Sequence, residues 1–223
     1  RRGNCLGGRM KRRKGKAAAP PEESSAASVP KPSRSSPPPP PAPPPPASPP
    51  EPPPASPALV RSEALLAAGS FPEAAEAFAS IIAADAENVR ALLGAAAALS
   101  ALGRYEGAEK EARRALRLAP ELVEVHYQLG TILYKRGVYA GAASELRHVV
   151  ELEPDNASAY IFLGEALNQM AESDQAIEAL EHAARLQPDS AKAFYAMGIA
   201  YDRKGLPERA AEMYRLSREA GAR

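Results

Sequence analysis

The sequence predicts an all-α fold in which about five helical hairpins stack into a solenoid that follows a proline-rich tail. Three observations support this prediction. The composition changes sharply near Pro57, the chain downstream repeats itself every 34 residues, and apolar side chains recur at helical spacing in both halves of each repeat.

The N-terminal part of the chain differs from the rest in composition. It contains most of the 24 prolines, including the uninterrupted runs 37–41 and 43–46, and has almost no large apolar side chains. Such a segment cannot bury enough apolar surface to offset the entropy of ordering its backbone. We therefore predict a disordered tail with polyproline II stretches over residues 1–56, acting as a spacer, and a folded domain over residues 57–223.

Charge is divided at nearly the same place. Residues 1–54 contain ten of the 28 Lys and Arg but only three of the 27 Asp and Glu. The tail thus carries a charge of about +7 and the remainder about −6. The basic cluster Met10–Lys16 is predicted to act in one of two ways: it touches phosphate, anionic lipid or an acidic protein, or it only keeps the terminus soluble.

The number of cysteines and the hydropathy of the chain limit which covalent links, metal sites and cellular locations are expected. Cys5 is the only cysteine, so neither an intrachain disulfide nor a thiolate metal site can form. No apolar run approaches the ~20 residues of a membrane helix, and we expect a cytoplasmic location. Because the sequence opens on Arg1 and its first methionine is Met10, we expect translation to begin at Met10.

The repeat is visible as columns of identical residues spaced by 34. Prolines, helix glycines, alanines and leucines each form such a column, and a further column of turn glycines is broken only by Ala171. The members are Pro120, Pro154 and Pro188; Gly130, Gly164 and Gly198; Ala74, Ala108, Ala142, Ala176 and Ala210; Leu65, Leu99, Leu133 and Leu167, continued by Tyr201; and Gly69, Gly103, Gly137 and Gly205.

Each repeat is predicted to be a helical hairpin. Tyr160, Leu163 and Leu167 lie on one helical face, and a second apolar face follows over residues 174–186. Proline ends each second helix, and Asn156 or Ser190 is placed to cap the next first helix. A single hairpin cannot bury both of its faces, so neighbouring hairpins must stack.

These columns resemble the tetratricopeptide repeat. The residues that carry the resemblance are Leu163, Gly164, Leu167, Ala176, Leu180 and Pro188, which match the leucine–glycine, alanine and proline positions of that family. The resemblance covers about 165 residues in repeats of approximately 55–88, 89–122, 123–156, 157–190 and 191–223. The first two copies match less well than the last three.

The resemblance implies a right-handed superhelical solenoid whose concave surface, lined by the first helices, binds a protein or peptide. The implied groove residues are rich in aromatic and amide side chains, which suit an extended or helical peptide. They are Tyr127, Gln128, Thr131, Tyr134, Lys135, Ile161, Phe162, Glu165, Asn168, Gln169, Tyr195, Ile199 and Asp202. The family's basic clamp for acidic chaperone tails has no counterpart, since Thr131 and Glu165 occupy two of its places.

No catalytic or metal-binding pattern accompanies the repeats. His148 and His182 share a repeat position but lack the i, i+4 spacing of a helical zinc site, and His126 stands at a packing position. The glycines form no phosphate-binding loop. We therefore expect a non-enzymatic scaffold without a cofactor or small-molecule substrate.

Two other functions remain open from the sequence. In one, the basic tail makes the protein an adaptor for nucleic acid or a membrane surface. In the other, the last repeat drives self-association, because no further helix is predicted to cover Met213 and Leu216 after the helix at 207–220.

Overall fold

The computed structural model describes residues 56–222. The predictions for the tail, its basic cluster and the start at Met10 concern residues outside this range. The described part contains ten helices and no strand. The helices are α1 (Pro57–Ala67), α2 (Phe71–Ala84), α3 (Val89–Ala101), α4 (Tyr105–Leu118), α5 (Val123–Arg136), α6 (Tyr139–Leu152), α7 (Ala157–Gln169), α8 (Ser173–Leu186), α9 (Ala191–Arg203) and α10 (Pro207–Gly221).

The helices pack as five hairpins in a row. Each first helix contacts the second helix of its own hairpin, and each second helix contacts the first helix of the next hairpin. Successive first helices also contact one another, whereas successive second helices in the described chain do not. The row therefore curves with its first helices on the inner side, which confirms the predicted solenoid of about five hairpins.

Three of the four joints between hairpins are capped by short polar side chains, the exception being Leu122 before α5. The Asn156 side chain accepts a hydrogen bond from the backbone N–H of Ala159 at 3.0 Å. Ser190 accepts one from Ala193 at 3.3 Å. Each bond satisfies a backbone donor that the first helical turn leaves free. Both predicted caps are confirmed, and Asn88 caps α3 in the same way.

The turns inside the hairpins share one backbone conformation. Four of them place a glycine at positive φ, between 71° and 86°. The fifth places Ala171 at φ 61°, the one non-glycine residue with positive φ in the described chain. In that turn the Glu172 N–H donates to the Leu167 carbonyl at 3.0 Å, closing the helix end as a Schellman motif does.

The helix glycines let the two arms of a hairpin approach closely. A Cβ added at Gly130 would lie 2.8 Å from Cγ of Leu146, and one at Gly164 would clash with Leu180. Gly198 likewise faces the ring of Tyr214. The glycine column of the sequence is thus a packing requirement between α5 and α6, α7 and α8, and α9 and α10.

The last helix provides its own polar outer surface. Met213 packs against a core cluster that includes Met197 and Tyr201, and Leu216 is half-buried. The exposed positions of α10 are mostly charged, among them Arg209 and Arg215. The expected uncovered apolar face is therefore small, because α10 combines a core-facing side with a charged one.

Among the helices of residues 56–222, none has both the length and the apolar composition needed to cross a bilayer.

Candidate partner-binding groove

The inner side of the curve is built from the first helices α1, α3, α5, α7 and α9. Eleven of the thirteen predicted groove residues have side chains that are exposed or half-buried, all on α5, α7 and α9. They are Tyr127, Gln128, Thr131, Tyr134, Lys135, Phe162, Glu165, Gln169, Tyr195, Ile199 and Asp202.

Three aromatic side chains of this set form one cluster. The ring of Phe162 on α7 lies edge-on to Tyr127 and Tyr134 of α5, with centroids 6.3 and 5.7 Å away. Tyr134 also meets Tyr139 of α6 at 5.9 Å. These rings fix each other's orientation and leave an aromatic surface at the middle of the curve.

A charged pair borders the aromatic cluster. The Lys192 ammonium on α9 lies 3.1 Å from Oε2 of Glu165 and 4.1 Å from the centroid of the Phe162 ring. Arg90 and Glu63 form an equivalent pair at 2.7 Å between α3 and α1, at the same repeat positions. Such pairs join successive first helices across the inner side.

The Tyr134 hydroxyl is held in its neutral form. Burial, followed by the nearby charge of Glu165, raises the pKa of Tyr134 to about 12. The hydroxyl therefore stays protonated well above the pH at which an ordinary tyrosine ionises. Tyr127 shifts in the same direction, chiefly because burial raises its pKa.

Two predicted groove residues lie inside the stack and are not available to a partner. Ile161 is 6% exposed and packs with Ala183 and Ala193 of the neighbouring helices. Asn168 is 3% exposed, and its Nδ2 donates to the backbone carbonyl of Ala196 at 2.8 Å. Position in the repeat placed them on the inner side, but the next hairpin covers them.

Tyr195 marks the C-terminal end of the inner side rather than its centre. It is 56% exposed and meets Tyr214 of α10 with ring centroids 5.7 Å apart. It occupies the repeat position of Ile161, and no sixth hairpin follows within residues 56–222 to cover it. The Tyr214 hydroxyl donates to Asp202 at 2.7 Å, so these three residues form a separate patch.

Two inner residues were missed by the sequence prediction. Val60 of α1 is 54% exposed, and Ala97 of α3 is half-buried. Val60 precedes Phe162 by three repeat lengths, and Ala97 precedes Thr131 by one. Counting further back along the repeat would have identified both positions.

The histidines make packing and hydrogen-bond contacts. His126 Nδ1 lies 2.7 Å from Glu145, and its Nε2 lies 2.8 Å from the Pro120 carbonyl. Its ring meets that of His148, and His182 stacks on Tyr160 at 5.1 Å. Within residues 56–222, no three His, Cys, Asp or Glu side chains are grouped so as to hold a metal ion.

Comparison with known proteins identifies the repeat. The signature of the family described as tetratricopeptide repeat matches residues 65–128 and 133–197, more than half of the chain. The chain belongs to the tetratricopeptide repeat family. This family generally consists of protein-interaction scaffolds, and we assign the chain to that class.

Solved structures of tetratricopeptide repeat proteins share the fold. MamA from Desulfovibrio magneticus RS-1 is 28% identical with a TM-score of 0.69, covering 74% of this chain and 93% of that one. MamA of AMB-1 is 25% identical with a TM-score of 0.70, covering 75% and 99%. YrrB, described as a tetratricopeptide repeat protein with an unusual peptide-binding site, is 25% identical with a TM-score of 0.65, covering 74% and 84%. No curated protein matches the chain significantly by sequence.

Proposed function

We propose that the protein binds a segment of another protein along the inner side of its solenoid. The observation that carries the proposal is the cluster of Tyr127, Tyr134 and Phe162 on two successive first helices. Aromatic side chains give a large contact area for little loss of rotamer entropy, and they dominate many protein interfaces.

The surroundings of the cluster fit a peptide better than a small molecule. Gln128 and Lys135 on α5 and Gln169 on α7 are exposed or half-buried on the same two helices and carry donors and acceptors that can bond a peptide backbone. On the α3 side the inner surface is lined by small residues such as Ala97 and Ala101, which leave room for a chain to pass. The peptide-binding site named for YrrB gives a precedent within the same fold.

The test adds bulk to the groove and leaves its packing in place. Thr131 lies half-buried at the middle of the inner side on α5, and Thr131→Arg projects a long side chain there. Ser144→Arg is the matched control, because Ser144 is exposed on the second helix α6. Peptides selected from a displayed library on the full chain are titrated against each variant by fluorescence anisotropy.

We expect Thr131→Arg to weaken peptide binding at least about tenfold while Ser144→Arg leaves it unchanged. Helical circular dichroism must stay the same for both variants. If the wild type and both variants bind every selected peptide with equal affinity, the proposal that peptides bind on the inner side is refuted.

We propose further that residues 1–56 form a tail distinct from the repeats, whose basic cluster binds an anionic partner. The support is the charge of about +7 and the proline content of that segment. Deleting Met10–Lys16 should then abolish salt-sensitive retention on heparin. Retention that persists after the deletion would contradict this function.

Self-association through the last repeat is the other candidate, supported by the exposed Tyr195 beside Tyr214. We expect Tyr195→Ala to dissociate any dimer detected by light scattering. If light scattering shows only monomer at every protein concentration, self-association is ruled out as the function.

A further inference from the structure

A group of basic side chains lies on the outer side of the solenoid, away from the proposed groove. It surrounds a recess of about 350 Å³ on the second helix α4 and the end of α5. The cations that line this recess, here called the basic recess, are Lys110, Arg113, Arg114, Arg117 and Arg136. Two carboxylates, Glu106 and Glu109, also line it, which leaves a net charge of about +3.

A buried carboxylate fixes two of these cations in place. Glu109 is only 5% exposed. Its Oε1 lies 2.9 Å from Arg113 of the same helix, and its Oε2 pairs with Arg136 from the end of α5. A buried charge must be paired, so Glu109 holds both guanidinium groups side by side from two different helices.

The remaining cations are compensated to different degrees. Arg114 pairs with Glu111 at 2.6 Å and also donates to the Ala86 carbonyl at 3.1 Å. Lys110 and Arg117 are exposed and form no ion pair with a carboxylate of residues 56–222. One carboxylate shared by two guanidinium groups, together with two unpaired cations, leaves an excess of hydrogen-bond donors among the residues that line the recess.

We propose that the basic recess binds a phosphorylated segment of a partner protein. A phosphate monoester carries about −1.5 to −2 charges at pH 7 and three acceptor oxygens, which matches the local charge of about +2 that remains once Glu111, the partner of Arg114, is counted with the lining residues. Guanidinium groups already oriented by Glu109 lose little entropy when they bind it.

The charge of the whole domain favours a compact anion over an extended anionic surface. Residues 55–223 contain 18 basic and 24 acidic residues, so the domain as a whole is repelled by an anionic membrane. A single phosphoryl group entering the recess meets mainly the local positive charge. This site is separate from the groove and does not depend on the groove's occupant.

The test removes the two cations that have no structural partner. Lys110→Gln combined with Arg117→Gln leaves the pairs of Glu109 intact, so the fold is retained. The matched control is Arg185→Gln combined with Arg218→Gln, on α8 and α10, since both arginines are exposed outside the recess. Arg185 stands at the same repeat position as Arg117, and both double variants change the net charge equally.

The probe is a fluorescein-labelled glycine–serine peptide with one phosphoserine, titrated against the full chain by anisotropy. The tail is present in every protein and contributes equally to each titration. We expect the Lys110 and Arg117 double variant to bind about tenfold more weakly, as the loss of two charge-assisted contacts implies, and the control to bind like the wild type. Amide shifts of the wild type should change in α4 and at the end of α5.

Three further arms identify the source of the phosphoryl group. The unphosphorylated twin peptide must bind at least about tenfold more weakly, and inorganic phosphate must compete only at much higher concentration than the phosphopeptide. Phosphatidylserine vesicles should bind both double variants and the wild type alike. The proposal is overturned if both double variants lower the affinity for the phosphopeptide equally, or if inorganic phosphate binds as tightly as the phosphopeptide. It is also overturned if Lys110 and Arg117 are needed for vesicle binding but not for phosphopeptide binding.

Discussion

The turn at Ala171 offers a direct test of how the repeat controls stability. Four of the five hairpin turns place a glycine at positive φ, and this one places an alanine at φ 61°. The left-handed region costs a non-glycine residue roughly 1–2 kcal/mol, because its Cβ crowds the following carbonyl. We therefore expect Ala171→Gly to stabilise the domain.

The size of the gain follows from two opposing effects. Relief of the left-handed conformation contributes about 1.5 kcal/mol. The greater freedom of glycine in the unfolded chain removes about 0.7 kcal/mol of that gain. Ala171 is exposed, so its methyl group loses little packing. A net stabilisation of about 0.8 kcal/mol remains, equivalent to about 2 °C in Tm for a domain of this size.

The control uses a turn that differs only in the residue present. Gly103 has φ 72°, and a Cβ added there would meet no atom within 4 Å. Gly103→Ala should lower Tm by a similar amount, since only the backbone conformation is penalised. Both changes are measured by thermal unfolding followed by circular dichroism at 222 nm. A fall in Tm for Ala171→Gly, or a rise for Gly103→Ala, would refute the reasoning.

Three further predictions concern packing, a buried hydrogen bond and pH. Gly164→Ala should lower the free energy of unfolding by about 1–3 kcal/mol, because the new methyl group clashes with Leu180. Its control, Gly107→Ala, should leave stability unchanged or raise it in the same thermal assay. Asn168→Ala should cost about 1 kcal/mol in urea unfolding, because it removes the hydrogen bond between α7 and α9. The pKa of Tyr134 in the folded protein, about 12, exceeds its ordinary value of 10.0. The stability that the protonated hydroxyl contributes is therefore fully present below pH 10 and is lost as the pH rises towards 12. Tyr134→Phe should make the fall in stability over that range less steep.

The joints of the fold could be predicted from the sequence because they depend on local chemistry. A cap needs a short polar side chain, as at Asn156 and Ser190, and a left-handed turn favours glycine, as at Gly69. These requirements act over a few residues and recur in most repeats, the exceptions being Ala171 in one turn and Leu122 before α5. The helix bounds and the order of packing follow from them.

The surface could be predicted only in part because exposure depends on the neighbouring hairpin. Ile161 and Tyr195 share a repeat position, yet one is 6% exposed and the other 56%. Periodicity assigns both to the inner side, but within residues 56–222 only Ile161 has a following hairpin to cover it. Asn168 was placed in the groove for the same reason and is instead a buried link to α9.

The basic recess was not predicted from the sequence. Glu109 and Arg136 are separated by 27 residues and belong to different repeats, so no local pattern connects them. Their pairing depends on how α4 packs against α5, which the sequence does not show directly.

The same reasoning indicates where specificity must lie. Residues that recur in most repeats, such as the turn glycines and the Asn or Ser helix caps, serve to close the hairpin turns and to begin the first helices. A partner that contacted only those positions would bind every hairpin equally and would have no preferred register. Recognition therefore requires positions that differ between repeats: Tyr134 and Phe162 occur together only at the α5–α7 step, and Lys110 and Arg117 only on α4. Because α5 and α7 are first helices and α4 is a second helix, a segment bound in the proposed groove would leave the proposed basic recess free for another.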